Sequence, residues 1–385
     1  MRLRPRLGTK HLAVVVAVTL TSLVGCTATP TSSAPIVAAD VAVDAKAHLA
    51  IDPAESESAG WVSAEFGTAV KGRPVVLQRQ DASAWQDVTT GKLDADGRVR
   101  FLVTGGIGEA TYRAVAQPIQ DQPAAATPEA SLKDQWTADL DSEFDGKELE
   151  ADRWIHRFTD VFEAGGRHCA APTPENVDLS DGIAELTVSE ESDSDRVAKA
   201  KAAGCEQKRF FRNAMISTEG LYSIKSGVLA TRVKFAEGQG MHGSVWLQSG
   251  NHSEIDMIES YGFGRGLTSV IHVDGKRYPA DSDDAYIHAF ATKDKDWWSK
   301  FHIVSVEWDT SQVVVRIDGV EAQRIEKEMP ETDYFLVVSM LSSDWEQKRL
   351  TDPVTNAEGV TPQKLPQTME VDWVRTWKPA KDGNG

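Results

Sequence analysis

The chain is poor in cysteine, in long apolar runs and in the motifs of nucleotide or serine chemistry. Among its 385 residues there are only three cysteines. His168 is the one histidine close to Cys169 and Cys205, which argues against a four-ligand zinc site. No glycine-rich phosphate loop and no Ser-His-Asp arrangement is evident, and extended helical periodicity is scarce. The sequence therefore argues against an all-α protein, a nucleotide-binding enzyme and a serine hydrolase.

Positive charge is also scarce. Lysine and arginine together number 41, against 58 aspartates and glutamates, and the formal net charge is −17 at pH 7. So acidic a chain is expected to repel nucleic acid and anionic polymers. We therefore expect no nucleic-acid partner. A neutral polysaccharide suits the chain better than a sulfated or uronic one, unless a local basic patch overrides the average charge.

The one long apolar run lies near the start of the chain. Basic residues precede it and Leu23-Val24-Gly25-Cys26 ends it, a pattern that predicts an export signal over residues 1–25. The last four residues resemble a bacterial lipobox, which implies cleavage before Cys26 and lipidation of its thiol. A cleaved signal without lipid and an uncleaved anchor are the alternatives. Because the signal holds four basic and no acidic side chains, its removal changes the net charge from −17 to −21.

Lipidation sets the expected location of the protein. Two or more acyl chains hold a protein stably on a membrane, and residues 26–38, rich in Ser, Thr, Pro and Ala, are typical of a flexible tether. We therefore expect an exported protein, either lipid-anchored on the outer face of the bacterial cell membrane or secreted. In that compartment Cys169 and Cys205 are expected to form a disulfide.

The mature chain is long enough for two domains. Residues 39–118 carry short strand candidates separated by turn signals, and these predict an immunoglobulin-like β-sandwich. Residues 119–133, rich in Pro, Ala and Gln, indicate a linker. Residues 134–379 repeat short apolar segments with period two, which predicts a large antiparallel β-sandwich. Residues 380–385 form a tail.

The most informative segment, residues 254–259, reads EIDMIE. Strand side chains alternate between faces, so Glu254 and Asp256 should point one way and Glu259 the other way. A β-bulge at Met257-Ile258 would return Glu259 to the face of the other two acids. Two carboxyls about 5–5.5 Å apart are what a retaining glycosidase uses. An exposed edge strand with solvated acids is the alternative, and the apolar residues between the acids argue against it.

Segments spread over residues 139–378 resemble glycoside hydrolase family 16, the laminarinase-like clan. Their order around the acid motif carries the resemblance. The segments are Ser142 to Gly146, Leu149, Trp154, Asn176 to Leu186, Asn213 to Thr218, Gly227 to Val233, Trp246, Trp298, Phe301-His302, Glu307-Trp308, Asp318-Gly319 and Asp372 to Arg375.

The resemblance implies a fold and a mechanism. The fold is all-β, a concanavalin-like β-jelly roll of two stacked antiparallel sheets with an open cleft for a polysaccharide. Glu254 would be the nucleophile, Glu259 the acid that later acts as base, and Asp256 a neighbour that spreads the pKa values of the acids apart. The longer, bulged spacing resembles that of laminarinases, agarases and carrageenases. We expect endo-acting hydrolysis of a β-linked polysaccharide, with β-1,3-glucan as the preferred substrate.

Other residues are candidates for sugar binding. Trp246 and Trp345 are expected to act as platforms for sugar rings, with a place in the core as the alternative. His272 resembles a cleft histidine of the family that hydrogen-bonds sugar or the acid/base residue, with a structural role as the alternative. Asn213 and Arg232 match positions that reach the subsite beside the nucleophile.

One departure from the family pattern concerns the strand before the acids. Family members often carry Trp-Pro where this chain has Met241-His242-Gly243-Ser244. The departure puts substrate identity in question and leaves the reaction unchanged. His242 is therefore a further candidate for substrate binding, with an ordinary turn residue as the alternative.

The resemblance also bears on cofactors and competing functions. The chemistry requires no cofactor and no catalytic metal. The family fold often carries a structural calcium ion, bound by carbonyl groups near the start of the domain and by an acid such as Asp372. A transglycosylase using the same acids and a non-catalytic carbohydrate-binding protein are the competing functions. The presence of all three acids argues against a non-catalytic carbohydrate-binding protein. We expect a monomer.

Overall fold

The structure, a computed structural model, describes residues 41–54, 59–67, 70–82, 84–162, 167–206, 209–264, 266–287, 295–343 and 365–380. These residues belong to one compact unit that runs from Val41 to Gly385. The predicted signal and tether with Cys26, and the predicted platform Trp345, lie outside the described residues. Among the described residues no helix has the length and apolar character needed to cross a membrane.

A small module forms the first part of the described chain. Its strands are β1 (His48–Asp52), β2 (Ala59–Glu65), β3 (Pro74–Asp81), β4 (Ala84–Lys92), β5 (Arg98–Thr104), β6 (Thr111–Ala116), β7 (Ala125–Ala126) and β8 (Ala130–Ser131). In one sheet β2 lies between β1 and β5, and in the other β3 lies between β4 and β6. Apolar side chains of both sheets, among them Leu49, Val62, Leu77 and Phe101, form a core of their own. An immunoglobulin-like identity for this module stays a prediction.

The segment predicted as a linker, residues 119–133, contains part of this module. Strands β7 and β8 lie within it, and both pair with β6. The prolines of the segment flank these short pairings, and the paired residues are three alanines and Ser131. The backbone hydrogen bonds therefore attach the segment to the module.

The larger domain follows. Its helices and strands are α1 (Leu132–Gln135), β9 (Trp136–Ser142), β10 (Ile155–His156), β11 (Ala171–Pro172), β12 (Val177–Ser180), β13 (Ile183–Glu190), α2 (Ser194–Ala202), β14 (Phe211–Ser217), β15 (Gly227–Lys234), β16 (Met241–Ser249), β17 (Glu254–Ser260), β18 (Leu267–Val273), β19 (Lys276–Tyr278), α3 (Ser282–Ala285), α4 (Lys295–Trp298), β20 (His302–Trp308), β21 (Gln312–Ile317), β22 (Val320–Glu326), β23 (Tyr334–Ser342) and β24 (Gln367–Pro379), with 3-10 turns at Arg167–Cys169 and Pro174–Asn176.

Two antiparallel sheets build this domain. The front sheet has the strand order β19-β18-β17-β16-β23-β14, and the back sheet has the order β13-β24-β15-β20-β21-β22. A short pairing of β13 with β14 joins them. Alternate residues such as Val245 and Leu247 of the front sheet and Val304 and Val306 of the back sheet meet in one apolar core. The all-β sandwich with jelly-roll architecture predicted from the sequence is confirmed.

Hydrogen bonds from the start of the larger domain tie it to the module. The side chain of Gln135 donates to the carbonyl of Leu49 at 2.6 Å and accepts from the N–H of Ile51 at 2.9 Å. The indole of Trp136 donates to the carbonyl of Ile51 at 2.8 Å. Gln135 thereby supplies β1 with the donor and acceptor that a neighbouring strand would provide.

A disulfide closes a long loop in the larger domain. Cys169 and Cys205 are bonded, with their Cα atoms 5.9 Å apart. Ala200 of α2 and Phe210 pack against the bridge. The side chain of Asp193 caps α2, accepting two backbone N–H groups of its first turn. The bridge and the cap hold this excursion onto the domain.

Candidate active site

The acids lie on β17, and a register shift decides where they point. Strand β16 pairs Trp246 with Asp256 and Val245 with Ile258, so Met257 has no partner and is an extra residue. The pairing of β17 with β18 shifts between Asp256 and Glu259 as well. The predicted β-bulge is confirmed. It brings Glu259 back to the face of Glu254 and Asp256.

The apolar residues of β17 explain why the strand holds this position. Ile255, Met257 and Ile258 are fully buried and belong to the core between the two sheets. The acids are consequently directed to the opposite face of the front sheet. A strand with buried neighbours on one face is far better fixed than an exposed edge, so the alternative of solvated acids on an edge strand is excluded for β17.

Glu254 is surrounded by polar groups. The amide of Gln248 donates to Glu254 Oε2 at 3.2 Å. Burial raises the pKa of Glu254 above its ordinary value, and the charge of Glu259 adds to this rise. The positive charge of His272 and hydrogen bonds from Gln248 and Asp256 act in the opposite direction. The polar neighbours therefore offset part of the effect of burial on this carboxyl.

Asp256 is the most deeply buried of the three acids. It is 7% exposed, and burial raises its pKa to about 8. His272 Nε2 lies 3.4 Å from Asp256 Oδ2, and this contact raises the pKa of His272. His272 and Asp256 therefore favour each other's charged forms, while burial opposes the charge of Asp256.

Glu259 has a dense set of hydrogen-bond partners. Thr268 Oγ1 donates to Glu259 Oε2 at 2.9 Å and the hydroxyl of Tyr261 to Oε1 at 3.2 Å. His242 Nε2 lies 2.8 Å from the same Oε1, and its ring stacks on Tyr261 with centroids 4.9 Å apart. Burial acts to raise the pKa of Glu259, but the bond and charge of His242, with the two hydroxyls, hold it below its ordinary value.

Four of the predicted binding residues lie on the front sheet. Trp246 is partly buried on the face of the acids, beside Asp256, and His272 lies next to the same acid. His242 is 5% exposed and bonded to Glu259, so it supports an acid from beneath the surface. Asn213 is buried on β14, where its side-chain oxygen accepts the N–H of Ser342.

Arg232 lies elsewhere. It is on β15 of the back sheet, where it forms an ion pair with Asp372 and places its guanidinium carbon 4.5 Å from the ring centre of Phe301. Its neighbours on β15, Thr231 and Val233, are fully buried, so alternation points Arg232 outward from the back sheet. The structure does not bring Arg232 to the acids, contrary to the expectation from the sequence.

Sequence reasoning missed several groups at the site. Tyr261 and Thr268 contact Glu259, and Gln248 contacts Glu254. The sequence pattern could have identified Gln248, because it lies two residues after Trp246 on the same strand and so points to the same face. Arg157, which donates to Gln248 at 2.7 Å, has no local pattern that marks it. It arrives from a distant segment.

Two groups of acids have the composition of cation ligands. Atoms of Glu254, Asp256 and His272 all lie within 4.8 Å of one another. Near the domain start, a cavity of about 210 Å³ is lined by several acids, including Asp141 and Glu143. Asp372, named with the expected calcium ion, pairs with Arg232 instead. A structural calcium ion stays a prediction.

Comparisons with known proteins identify a family and similar folds. The family model described as Glycosyl hydrolases family 16 matches residues 172–375. The laminarinase catalytic domain from Thermotoga maritima MSB8 is 19% identical, with a TM-score of 0.47, covering 63% of this chain and 98% of that chain. The endo-β-1,3-glucanase from Pyrococcus furiosus is 16% identical, with a TM-score of 0.49, covering 63% of this chain and 95% of that chain. No curated protein matches the chain.

Proposed function

The chain belongs to glycosyl hydrolase family 16, and we propose that it is a retaining, endo-acting glycoside hydrolase that cleaves β-linked polysaccharide, with β-1,3-glucan as its preferred substrate. One observation carries the proposal. The register shift in β17 places Glu254, Asp256 and Glu259 on one face, where the charge of Glu259 raises the pKa of both Glu254 and Asp256. Two carboxyls that share one face can act on the same glycosidic bond.

The proposed reaction is a double displacement. In the first step Glu254 attacks the anomeric carbon, the glycosidic C–O bond breaks, and Glu259 gives a proton to the departing oxygen. In the second step Glu259 takes a proton from water, and the oxygen of that water displaces Glu254 from the anomeric carbon. The anomeric configuration of the product is therefore that of the substrate.

The protonation states need a further element. Asp256, with its pKa raised to about 8, is neutral at pH 7 and can donate to Glu254, which favours the charged nucleophile. Glu259, in contrast, has a lowered pKa while it is bonded to His242. We propose that His242 and Glu259 hold the catalytic proton together. A sugar that excludes water from Glu259 raises its pKa and moves the proton onto the carboxyl.

The substrate class follows from charge and spacing. The net charge of −17 favours a neutral polymer over an anionic one, and the bulged acid spacing resembles that of laminarinases. We further propose that the protein is exported and held on the membrane by a lipid on Cys26, and that it acts as a monomer. The Cys169–Cys205 disulfide suits such a compartment.

Product analysis tests this proposal. The protein would be incubated with laminarin, lichenan, agarose and galactan while reducing ends are counted and the first-formed anomer is observed by ¹H NMR. We expect the fastest release from laminarin, with the β-anomer appearing first. The Glu254→Gln protein is the inactive blank, and Glu326→Gln, an exposed glutamate on β22, is the matched control.

Two results would contradict the proposal. An α-anomer formed first would mean inversion, and full activity in the Glu254→Gln protein would remove the nucleophile. Oligosaccharides longer than the starting one would instead assign transglycosylation to the same residues.

A further inference from the structure

A chain of hydrogen bonds leads from the back of the site to Glu254. Arg157 Nη2 donates to Gln248 Oε1 at 2.7 Å, and Gln248 Nε2 donates to Glu254 Oε2 at 3.2 Å. At the other end, Arg157 Nε donates to Glu219 Oε2 at 2.9 Å. Three side chains from separate segments are thereby aligned behind the proposed nucleophile.

The chemistry of arginine fixes the orientation of the amide. A guanidinium has N–H donors and no acceptor, whereas an amide has a carbonyl at one end and an NH₂ at the other. With Arg157 on one side, the carbonyl of Gln248 must face Arg157 and its NH₂ must face Glu254. The reverse orientation would set two donors against each other and a carbonyl oxygen against a carboxylate.

Arg157 is itself held firmly. Its side chain is 7% exposed, and its backbone N–H donates to the carbonyl of Met215 at 3.0 Å. Its guanidinium carbon lies 5.1 Å from the ring centre of Phe335 and 5.5 Å from that of Trp246. These aromatic neighbours and the bond to Glu219 leave the guanidinium little freedom to turn away from Gln248.

We propose that Arg157 is a positioning residue that locks the Gln248 amide with its NH₂ toward Glu254 and so keeps the nucleophile charged. The inference rests on the proposed role of Glu254. A donor that is fixed before the substrate arrives stabilises the carboxylate without reorganisation during the reaction.

The expected effect has a definite sign. Four ionisable groups act on Glu254 directly or through Gln248, namely Asp256 and Glu259 on β17, His272 on β18 and Arg157. Loss of the donor from Gln248 removes an interaction that favours the charged form of Glu254, so its pKa rises. The acidic limb of kcat/KM, which reports the ionisation of the free enzyme, must then move to higher pH.

The test compares pH profiles of kcat/KM on laminarin for the wild type, Gln248→Leu, Arg157→Met and Arg157→Lys. In Gln248→Leu and Arg157→Met we expect the acidic limb to move up by about one pH unit. At a pH below the limb, kcat/KM should then be roughly tenfold lower than in the wild type. Arg157→Lys keeps a charged donor and should restore part of the shift. Gln323→Leu, a glutamine on β22 of the back sheet, is the matched control and should leave the limb in place.

The outcomes separate this inference from the proposed function. Activity in the Glu254→Gln protein would refute the proposed function. If Glu254→Gln is inactive but the acidic limb of Arg157→Met does not move, the positioning role of Arg157 is refuted and the proposed function is not. A lower melting temperature with an unmoved limb would show that Arg157 has only a structural role.

A separate observation concerns Phe158, which follows Arg157. Its side chain is 52% exposed, and its backbone has φ of 54°, a region that bulky residues rarely adopt. The Arg157 guanidinium carbon lies 4.4 Å from its ring centre. Because Arg157 also lies over Trp246 and Phe335, the exposed ring of Phe158 borders the face that carries the acids.

We infer that Phe158 is a sugar-contact residue on the Glu254 side of the site, and this inference also rests on the proposed function. An exposed ring held in a strained conformation offers a flat apolar surface to the C–H face of a sugar ring. Its cation partner is already tied to the front sheet, so the ring is in place before the polymer binds.

Binding measurements test this role. Phe158→Ala should raise KM for laminarin oligosaccharides about tenfold, the loss expected for about 1.4 kcal/mol, with kcat little changed, whereas Phe158→Tyr should retain the wild-type KM. Phe301→Ala is the matched control, since Phe301 also lies beneath an arginine, Arg232 of the back sheet. An unchanged KM in an active Phe158→Ala protein would overturn the inference.

Discussion

The front sheet and the contact between the module and the back sheet both bury charged side chains, but they group them in opposite ways. On the front sheet Glu254, Asp256 and Glu259 are all acids, whose ionised forms carry charges of one sign. Burial and mutual repulsion raise the pKa of Asp256 to about 8. The group is stable only because some of its members keep protons or share them with histidines.

At the contact with the module the buried charges have opposite signs. Arg316 of β21 lies 3.9 Å from Asp52 of the module and 2.8 Å from Glu307 of β20. Burial acts to lower the pKa of Arg316, yet the charges of Asp52 and Glu307 raise it. The single cation there is shared by two carboxylates of opposite charge.

This difference in charge grouping distinguishes a cluster suited to catalysis from one suited to stability. Like charges held together are unfavourable for folding and are expected where the chemistry needs carboxyls with different pKa values. Compensated charges hold two parts of a chain together and break at a high cost when one partner is removed. Substitutions in one cluster therefore serve as controls for substitutions in the other.

The largest effect is expected from Glu254→Gln. The variant keeps the shape of the side chain and removes the nucleophile, so kcat on laminarin should fall at least about ten-thousand-fold. Removing one of several like charges should leave the melting temperature unchanged or higher. Reducing-end assays and calorimetry measure the two quantities, and a lower melting temperature would contradict the assignment of this cluster to function.

The opposite pattern is expected from Arg316→Met. It leaves the buried carboxylate of Asp52 and the partly exposed carboxylate of Glu307 without their cation, which should lower the free energy of unfolding by about 3–5 kcal/mol. Activity per folded molecule should stay near the wild-type value. Urea unfolding followed by fluorescence measures the loss. Arg209→Met, which breaks an exposed pair with Glu190, should cost no more than about 1 kcal/mol.

Loss of the disulfide should have a comparable or slightly smaller effect on stability. The bridge spans a sequence separation of 36 residues, and a closed loop of that length restricts the unfolded chain by about 3–4 kcal/mol. Cys169→Ser combined with Cys205→Ser should show this loss in urea unfolding. The acids are not part of the loop, so kcat should be retained. A large loss of kcat with an unchanged free energy of unfolding would be inconsistent with this account.

The effect expected from Asp256→Asn is a gain of stability, and it depends on pH. The folded-state pKa of Asp256 is raised from an ordinary value of 3.8 to about 8. The wild type therefore loses stability as pH rises between those values, and the neutral asparagine does not. The melting temperature of the variant should exceed that of the wild type by an amount that grows up to about pH 8. A constant difference from pH 4 to pH 8 would show that Asp256 titrates normally.

The fold and the acids were predictable because their determinants are local. Period-two apolar segments predicted the sandwich, and apolar Ile255, Met257 and Ile258 between the acids predicted a buried strand with a bulge. The role of Arg157 was not predictable, because it reaches Gln248 across 91 sequence positions. The expectation that Arg232 reaches the subsite was wrong for a related reason. A match in position along the chain does not reveal which sheet carries the strand.

His242 shows a middle case. It lies in a segment that departs from the family pattern, and a role in substrate binding was expected, with an ordinary turn residue as the alternative. Its bond to Glu259 depends on the pairing of β16 with β17 after the bulge, which the sequence indicates only once the register is known. The residue type was informative, and its partner required the structure.

Trapping the covalent intermediate tests the central claim most directly. A 2-deoxy-2-fluoro β-1,3-linked disaccharide with fluoride as leaving group needs no acid catalyst, and its fluorine slows the second step so that the glycosyl-enzyme accumulates. Peptide mass spectrometry of the wild type and of Glu259→Gln should then place one glycosyl group on Glu254 in both proteins. A label on Asp256 or Glu259, or no label at all while laminarin is still cleaved, would contradict the account.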